Sequence, residues 1–155
     1  MGYKSLVPFL FPYICIMQIF LPYVEPFSVA KVLDLRRLRK QILECDWLIG
    51  GVKNNTRAIY HPITQMYKGN LDFIEHYRDC LKLYLQGSPL SLSESYKALD
   101  CTPDFLKDAD WYFDNFKKRL YTKDPVYYAG FSRWGQSYSN YYYVGGVWKE
   151  YQVKK

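Results

Sequence analysis

Hydrophobic and polar positions alternate with a helical rhythm in the first third of the chain. Between residues 28 and 51, apolar side chains recur every three or four positions, the spacing of one helix face. Ser28 can cap this helix, and Gly50-Gly51 can close it. The apolar stripe consists of Val32, Leu35, Leu38, Ile42, Cys45 and Ile49. The opposite face then carries charged side chains, namely Arg36, Arg37, Lys40 and Glu44.

Two further helices are predicted downstream. The second covers residues 61–87, with an interruption near Gly69. The third begins at residues 102–104, where a cap residue, a first-turn proline and an acid favour a helix start. It must end before Pro125, because a residue that precedes proline disfavours the helical conformation. Residues 88–101 are predicted to be a loop with one turn of helix.

The two ends of the chain have different patterns. Residues 126–152 contain too many glycines and serines for a long helix, and we predict an ordered aromatic coil there, with a short hairpin at Gly145-Gly146. Residues 17–23 are predicted to form a short strand or an extended arm. The fold class predicted is therefore all-α, a compact three-helix domain with an N-terminal extended arm and an aromatic C-terminal coil.

The apolar segment 6–21 raises the question of a membrane. It is shorter than the roughly 20 residues that a spanning helix needs, and Pro8 and Pro12 interrupt it. It also lacks the small-residue cleavage site of a signal peptide. We therefore predict that residues 1–16 are an apolar extension and that residues 17–155 form a single domain. Membrane association through residues 6–21 is the alternative.

The uneven distribution of charge along the chain indicates a class of binding partner. The chain has 155 residues, of which 49% are hydrophobic and 23% charged, so it is expected to fold as one domain. The net charge of +6 is uneven: residues 28–60 carry +4, residues 61–116 carry −4 and residues 117–155 carry +6. If the two basic segments meet, they form a positive face suited to nucleic acid or an anionic membrane. The alternative is that this charge only aids solubility.

Cysteine and histidine usage favours neither a metal site nor a histidine-based catalytic centre. The four cysteines are widely separated without a C-x-x-C pair, and the chain has only two histidines. Reduced thiols in an intracellular protein (cytoplasm, nucleoid or viral) are expected, with two disulfides as the alternative. The acids near the start of the third helix are expected to complement the helix dipole, so no metal is predicted.

Three sequence blocks then follow one another in a characteristic order. They are MQIFLPY followed by LDLRRLRKQ (17–41), HPITQMYKG (61–69) and FKKRLYTKDPVYYAGF (116–131). In this order and spacing they resemble the pyrimidine-dimer DNA glycosylase family of endonuclease V type, in particular its broad bacterial and viral branch. The resemblance covers about residues 17–134.

The resemblance implies a compact helical enzyme that binds duplex DNA, flips a base and cuts its glycosidic bond without a cofactor. In this family the chain's own α-amine forms a Schiff base with the sugar C1′, and a glutamate on the first helix assists. The implied amine here is that of Met17, if the chain starts there. Arg37 occupies about the position of the glutamate, Asp34 is the nearest substitute, and Glu44 lies about two turns later. The predicted catalytic residues are therefore Met17 and Asp34.

The resemblance also suggests which side chains contact DNA, each with a structural alternative. Basic residues can hold phosphates, or they can be solvated and ion-paired, as Lys40 could be with Glu44. His61 can contact DNA or cap a helix, and adjacent tyrosines can stack on bases or cover the core. The predicted DNA-binding residues are Arg36, Arg37, Lys40, His61, Lys117, Lys118, Arg119, Lys123, Tyr127 and Tyr128.

Three functional hypotheses follow from the sequence. The first is a DNA glycosylase/AP lyase that acts on duplex DNA, as a monomer or as a component of an assembly. The second is a catalytically inactive descendant that serves as a nucleic-acid-binding or assembly module. The third is a membrane-associated protein held by residues 6–21.

Overall fold

The computed structural model describes residues 18–136, 141–144 and 147–150. This part of the chain is mainly helical, which confirms the all-α class, but it holds six α-helices instead of the three predicted. They are α1 (Pro26–Val32), α2 (Leu35–Asn54), α3 (Pro62–Tyr67), α4 (Leu71–Leu85), α5 (Leu90–Asp100) and α6 (Asp110–Lys123). Short 3-10 helices cover Arg57–Tyr60, Lys68–Asn70, Asp104–Leu106 and Ala129–Gln136.

The first predicted helix is in fact two helices. Leu33 is extended after α1, and Asp34 caps the start of α2 by accepting a hydrogen bond from the Arg37 backbone nitrogen. The helix does not close at Gly50-Gly51 but continues to Asn54, and Asn55 then adopts a left-handed conformation with φ of 50°. Gly51 serves close packing, because a Cβ atom there would lie 2.7 Å from the Cβ of Ala58.

The loop predicted over residues 88–101 is wrong, because α5 occupies most of it. The buried face of α5 consists of small residues, Ser91, Ser95 and Ala98. A search for large apolar side chains misses such a face. The Ser95 hydroxyl oxygen also accepts a hydrogen bond from the Phe27 backbone nitrogen at 3.0 Å, which ties α5 to α1.

The predicted second helix and its interruption near Gly69 are confirmed, because the 3-10 turn Lys68–Asn70 divides it into α3 and α4. The predicted third helix differs from the structure at its start. The third starts at Asp110 instead of residues 102–104, because only one 3-10 turn forms at Asp104–Leu106. Asp108 then has φ of 57°, a left-handed conformation that interrupts the helix.

The N-terminal arm is part of the core. Ile19, Phe20 and Leu21 are all buried, so they do not alternate between a buried and an exposed face as a surface strand would. These residues belong to the apolar segment 6–21, and this end of it packs inside the protein. None of the described helices is both long enough and apolar enough to cross a membrane.

The C-terminal region contains the paired strands predicted around residues 145–146. Strands β1 (Tyr141–Val144) and β2 (Val147–Glu150) are antiparallel, with Tyr141 opposite Glu150 and Val144 opposite Val147. Gly145 and Gly146 lie outside the described residues. Within the described residues, Cys45, Cys80 and Cys101 are free thiols.

Candidate active site

The carboxylate of Asp34 is occupied by structural contacts at the start of α2. Its Oδ2 accepts a hydrogen bond from the Arg37 backbone nitrogen at 3.3 Å, and its Oδ1 lies 3.0 Å from Arg37 Nη1. The Tyr128 hydroxyl donates to the same Oδ1 at 2.7 Å and accepts from the Asp34 backbone nitrogen at 3.2 Å. Burial would raise the pKa of Asp34, but the hydrogen bonds from Tyr128 and Arg37 outweigh it and hold the pKa below its ordinary value.

The N-terminal arm is attached to α2 through Gln41, one turn before Glu44. The Gln41 side chain is buried, and its Oε1 accepts a hydrogen bond from the Phe20 backbone nitrogen at 3.0 Å. Its Nε2 donates to the Gln18 carbonyl oxygen and, at 2.7 Å, to Glu44 Oε2. The Tyr77 hydroxyl on α4 donates to the Phe20 carbonyl oxygen at 2.8 Å. These contacts fix the arm against α2.

Glu44 is a buried carboxylate at the end of this arm. Only 8% of the residue is exposed, and Oε2 is 3.4 Å from the Gln18 backbone nitrogen. On the other side, Oε1 is 4.0 Å from Lys40 Nζ. Burial raises the pKa of Glu44 to about 7, against the opposing effects of the Gln18 N–H and of the positive charges of Lys40 and Lys123. Such a carboxyl group can exchange a proton near neutral pH.

The N-terminal arm lies close to the carboxylate of Glu44 and far from that of Asp34. Asp34 and Glu44 are ten positions apart along α2, which corresponds to about 15 Å of helix rise. The Gln18 backbone nitrogen, which follows Met17 in the chain, lies 3.4 Å from Glu44 Oε2, so the described end of the arm is beside Glu44 and not beside Asp34. Met17 itself lies outside the described residues.

Positive charges from two helices meet beside Glu44. The pKa of Lys123, on α6, is lowered by burial and then by the charges of Arg37, Lys40 and Arg119, while Glu44 acts in the opposite direction. Lys123 Nζ also lies 5.6 Å from the centre of the Phe20 ring. We call Arg37, Lys40, Arg119 and Lys123 the cationic cluster. The two basic segments of the sequence therefore converge over the arm.

The other predicted basic residues lie away from this cluster or on its edge. Arg36 and Arg39 are exposed on α2. Lys117 Nζ is 3.6 Å from an Asp114 carboxylate oxygen, and it lies about 120° around α6 from Lys123, as a rotation of 100° per residue implies. Lys118 is displaced by about 140° in the opposite sense. Only part of the lysine-rich stretch therefore faces Glu44.

The predicted aromatic and histidine contacts divide between the surface and the core. Tyr127 is 52% exposed, whereas Tyr128 has no exposed area and therefore cannot stack on a base in this conformation. His61 is 7% exposed, and its Nδ1 accepts a hydrogen bond from the Ile63 backbone nitrogen at 3.1 Å. His61 thus caps α3, which is the structural alternative that the sequence left open.

Sequence reasoning did not assign the residues that connect the arm to the carboxylate. The sequence indicates Glu44 only as a residue two turns after the aligned site and as a partner of Lys40, and it gives no role to Gln41, which closes the block LDLRRLRKQ. A signal for Glu44 and Gln41 was present in their spacing, because residues three apart on a helix are neighbours. The partners of that pair, Gln18 and Phe20, are more than twenty positions away in the chain.

The raised pKa of Glu44 predicts that the protein loses stability as pH rises. An unperturbed glutamate has a pKa of 4.5, and Glu44 in the folded protein has a pKa of about 7. Between these values the folded state retains a proton that the unfolded chain has released, so the free energy of unfolding falls as pH increases. The full effect is up to about 3 kcal/mol.

Denaturant unfolding of the wild type and of Glu44→Gln at pH 5 and pH 8 tests this prediction. The substitution keeps an oxygen that can accept from Gln41 and Gln18 but removes the titration. We expect the wild type to lose stability relative to the variant between the two pH values. Equal pH dependence of the two proteins would contradict the assignment.

The N-terminal part of the chain is similar to a known protein family. Residues 17–83 match the sequence model of the pyrimidine dimer DNA glycosylase family. The match includes the blocks 17–41 and 61–69 and both residues of the Gln41–Glu44 pair, and it ends before the block 116–131. No curated protein and no solved structure matches the chain.

Proposed function

Since residues 17–83 match the pyrimidine dimer DNA glycosylase family, we propose that this protein is a DNA glycosylase/AP lyase that acts on pyrimidine dimers in duplex DNA. The observation that carries the proposal is the environment of Glu44. This buried carboxyl group has a pKa of about 7, contacts the Gln18 N–H and lies beside the cationic cluster. In this proposal Met17 supplies the nucleophilic amine, and Glu44 takes the catalytic role predicted for Asp34.

The proposed reaction begins with a neutral Met17 amine. An α-amine has a pKa of about 7.7–8, so a useful fraction is neutral at physiological pH, whereas a lysine would need a large shift. The amine nitrogen attacks the sugar C1′, and the glycosidic bond breaks as the new N–C1′ bond forms. The base leaves with the bonding electrons and takes up a proton. Glu44, whose raised pKa of about 7 lets it hold a proton near neutral pH, is the proposed donor.

The lyase step follows from the same covalent intermediate. Loss of the amine proton and opening of the sugar ring produce a protonated imine at C1′, with the ring oxygen becoming a hydroxyl group. Transfer of a proton from C2′ to the Glu44 carboxylate, which is ionised after the first step, then expels the 3′ phosphate and cleaves the strand. Water finally hydrolyses the imine and regenerates the amine. Bonds and charges balance at each step without an oxidant, a reductant or a metal.

The proposed DNA contacts combine the cationic cluster with the exposed part of α2. Guanidinium and ammonium groups bind phosphate oxygens and thereby set the position of the duplex. Lys123 lies near Glu44, the charge of Arg37 acts on Lys123, and Arg36 and Arg39 extend the positive surface along α2. Of the two predicted tyrosines, Tyr127 is exposed and is proposed to stack on a base. In this proposal His61 caps α3 and Tyr128 packs in the core.

Duplex affinity should fall steeply with salt, and single charge removals should reduce that dependence. Replacing Lys123 or Arg36 by glutamine is expected to lower the slope of log K against log salt by about 1, as loss of one phosphate contact does. Fluorescence anisotropy with an undamaged duplex at several salt concentrations measures the slope. Lys97→Gln is the matched control, because Lys97 pairs with Glu94 on α5. Slopes that are equal in all these proteins would remove this interface from the proposal.

Reductive trapping tests the proposed activity. The protein is incubated with borohydride and a duplex that carries one pyrimidine dimer or one abasic site, with an undamaged duplex as control. A covalent protein–DNA complex on the damaged duplexes supports the proposal. If Met17 is confirmed as the free terminus and neither trapping nor strand cleavage occurs, the lyase assignment fails.

A second candidate function is supported by the sixteen residues that precede Met17 in the sequence. If they remain attached, the Met17 nitrogen is part of a peptide bond and cannot form a Schiff base. The protein would then be a duplex-binding module with salt-sensitive affinity and no strand cleavage. The intact mass of the natural protein distinguishes the two candidates, because it identifies the residue that carries the free amine.

A further inference from the structure

Gln41 lies between the arm and Glu44 and has a side chain without exposed area. Its amide group is three positions before Glu44 on α2, so both side chains extend from the same side of the helix. A buried amide must find hydrogen-bond partners for its donors and acceptor, because leaving any of them unpaired destabilises the folded protein. The hydrogen-bond partners of the Gln41 amide all lie at the proposed active site.

The hydrogen bonds of Gln41 define the orientation of its amide. Nε2 donates to the Gln18 carbonyl oxygen and to Glu44 Oε2, the latter at 2.7 Å. Oε1 accepts from the Phe20 backbone nitrogen at 3.0 Å and lies 3.1 Å from the Tyr77 hydroxyl oxygen. A flipped amide would put two donors against the Phe20 N–H and an oxygen against the Glu44 carboxylate, so the network permits one orientation.

One amide therefore holds both components that the proposed reaction must bring together. The Gln18 carbonyl and the Phe20 N–H fix the backbone that follows Met17, and Glu44 Oε2 is fixed by the same nitrogen. We propose that Gln41 is a positioning residue that sets the distance and orientation of the arm relative to the Glu44 carboxylate. The inference rests on the proposed function for its catalytic meaning, but its structural content can be measured without activity.

The groups around Glu44 determine what removal of Gln41 should do. Lys40 on α2 and Lys123 on α6 stabilise the carboxylate, and the Gln18 N–H does so from the arm. Tyr77 on α4 and the thiol of Cys45 are buried neighbours whose pKa values are raised, first by burial and then partly by the charge of Glu44. Without the Gln41 N–H the carboxylate loses a donor, so its pKa should rise.

Gln41→Met in the full chain tests the positioning role, because methionine is of similar length and makes no comparable hydrogen bond. We expect the ¹³C carboxyl resonance of Glu44 to titrate at a higher pH and the Phe20 amide hydrogen to exchange faster than in the wild type. Gln65→Met is the matched control, since Gln65 donates to the Ile59 carbonyl oxygen and, among the described residues, has no hydrogen bond to the arm or to Glu44. The proposal is overturned if Gln41→Met leaves the Glu44 titration and the Phe20 exchange unchanged, or if Gln65→Met changes them equally.

A second variant covers the case in which Gln41→Met does not fold. Gln41→Glu retains an oxygen for the Phe20 N–H but puts a second carboxyl group against Glu44 Oε2. We expect the two carboxyl groups to titrate in two steps, with the upper step above the wild-type value for Glu44, because both cannot be ionised easily at this distance. A wild-type titration of Glu44 in this variant would also overturn the proposal.

Kinetics on an abasic duplex separate the positioning role from the proposed function. In an active protein, Gln41→Met should lower the single-turnover cleavage rate about 10- to 100-fold and shift the pH profile, with duplex affinity unchanged. Gln65→Met should do neither. If the wild type is inactive but the titration and exchange changes occur, the lyase function fails while the positioning of Glu44 by Gln41 stands. If the wild type is active and Gln41→Met has the wild-type rate and pH profile, the positioning role fails while the lyase function stands.

Discussion

Glu44→Gln is expected to reduce strand cleavage at an abasic site by about 100- to 10,000-fold, the usual contribution of general acid–base catalysis. Glutamine has the same shape and can still accept hydrogen bonds from Gln41 and Gln18, but it cannot transfer a proton. Duplex affinity should be retained or slightly increased, because a negative charge disappears from the cationic cluster. Single-turnover cleavage and fluorescence anisotropy on the same duplex measure the two effects separately.

Asp34→Asn is the matched comparison for this prediction. It removes the other carboxylate near the start of α2, while asparagine can still cap the helix. We expect a modest loss of stability, because the contacts with Arg37 and Tyr128 weaken, and a cleavage rate close to that of the wild type. If Asp34→Asn loses the cleavage activity and Glu44→Gln does not, the catalytic carboxylate is Asp34, as the sequence alone predicted.

The largest expected effect concerns the terminal amine. A chain that begins at Met17 should be trapped by borohydride on an abasic duplex, whereas the chain with residues 1–16 attached should give no detectable adduct. A peptide nitrogen has no available lone pair for attack on C1′, so the difference is expected to be all or none. Gel separation of the covalent complex and mass mapping of the adduct measure it, with Met17 as the expected site.

Lys123 is the relevant competitor for the role of nucleophile. Its pKa is lowered by burial and by neighbouring cations, and it lies near Glu44. Lysines in such surroundings can form Schiff bases. Equal trapping of both chains, with the adduct mapped to Lys123, would therefore refute the assignment of Met17 and leave the glycosylase proposal with a different nucleophile. Lys123→Gln in both chains would confirm that outcome.

The proposed role of Glu44 differs from the role predicted for Asp34, for a physical reason. Arg37 occupies about the place expected for the family's glutamate, and Asp34 is the carboxylate nearest to Arg37 along α2. For the proposed reaction, however, the carboxylate must be near the N-terminal arm. Because Gln41 and Gln18 connect the arm to a point two turns later, Glu44 rather than Asp34 is beside the backbone that leads to Met17.

The spacing of apolar residues in the sequence was enough to predict the helical class and the buried face of α2. The positions of the charged residues were enough to show the uneven charge of the chain. Apolar spacing predicted that Leu38, Ile42 and Cys45 would face the core, and all three are buried. The resemblance in the first blocks of the sequence agrees with the family match over residues 17–83. These features depend on neighbours within a few positions, so one chain is enough to recognise them.

Only the tertiary structure decided which polar residues share a site. Asp34 pairs with Tyr128, 94 positions away, while Phe20 and Gln41 are 21 positions apart and Lys123 lies farther still along the chain from Glu44. Long-range pairings of this kind depend on how whole helices pack, and helical periodicity carries no information about them. Burial, which raises the pKa of Glu44 to about 7, is likewise a property of the packed arm and helices together.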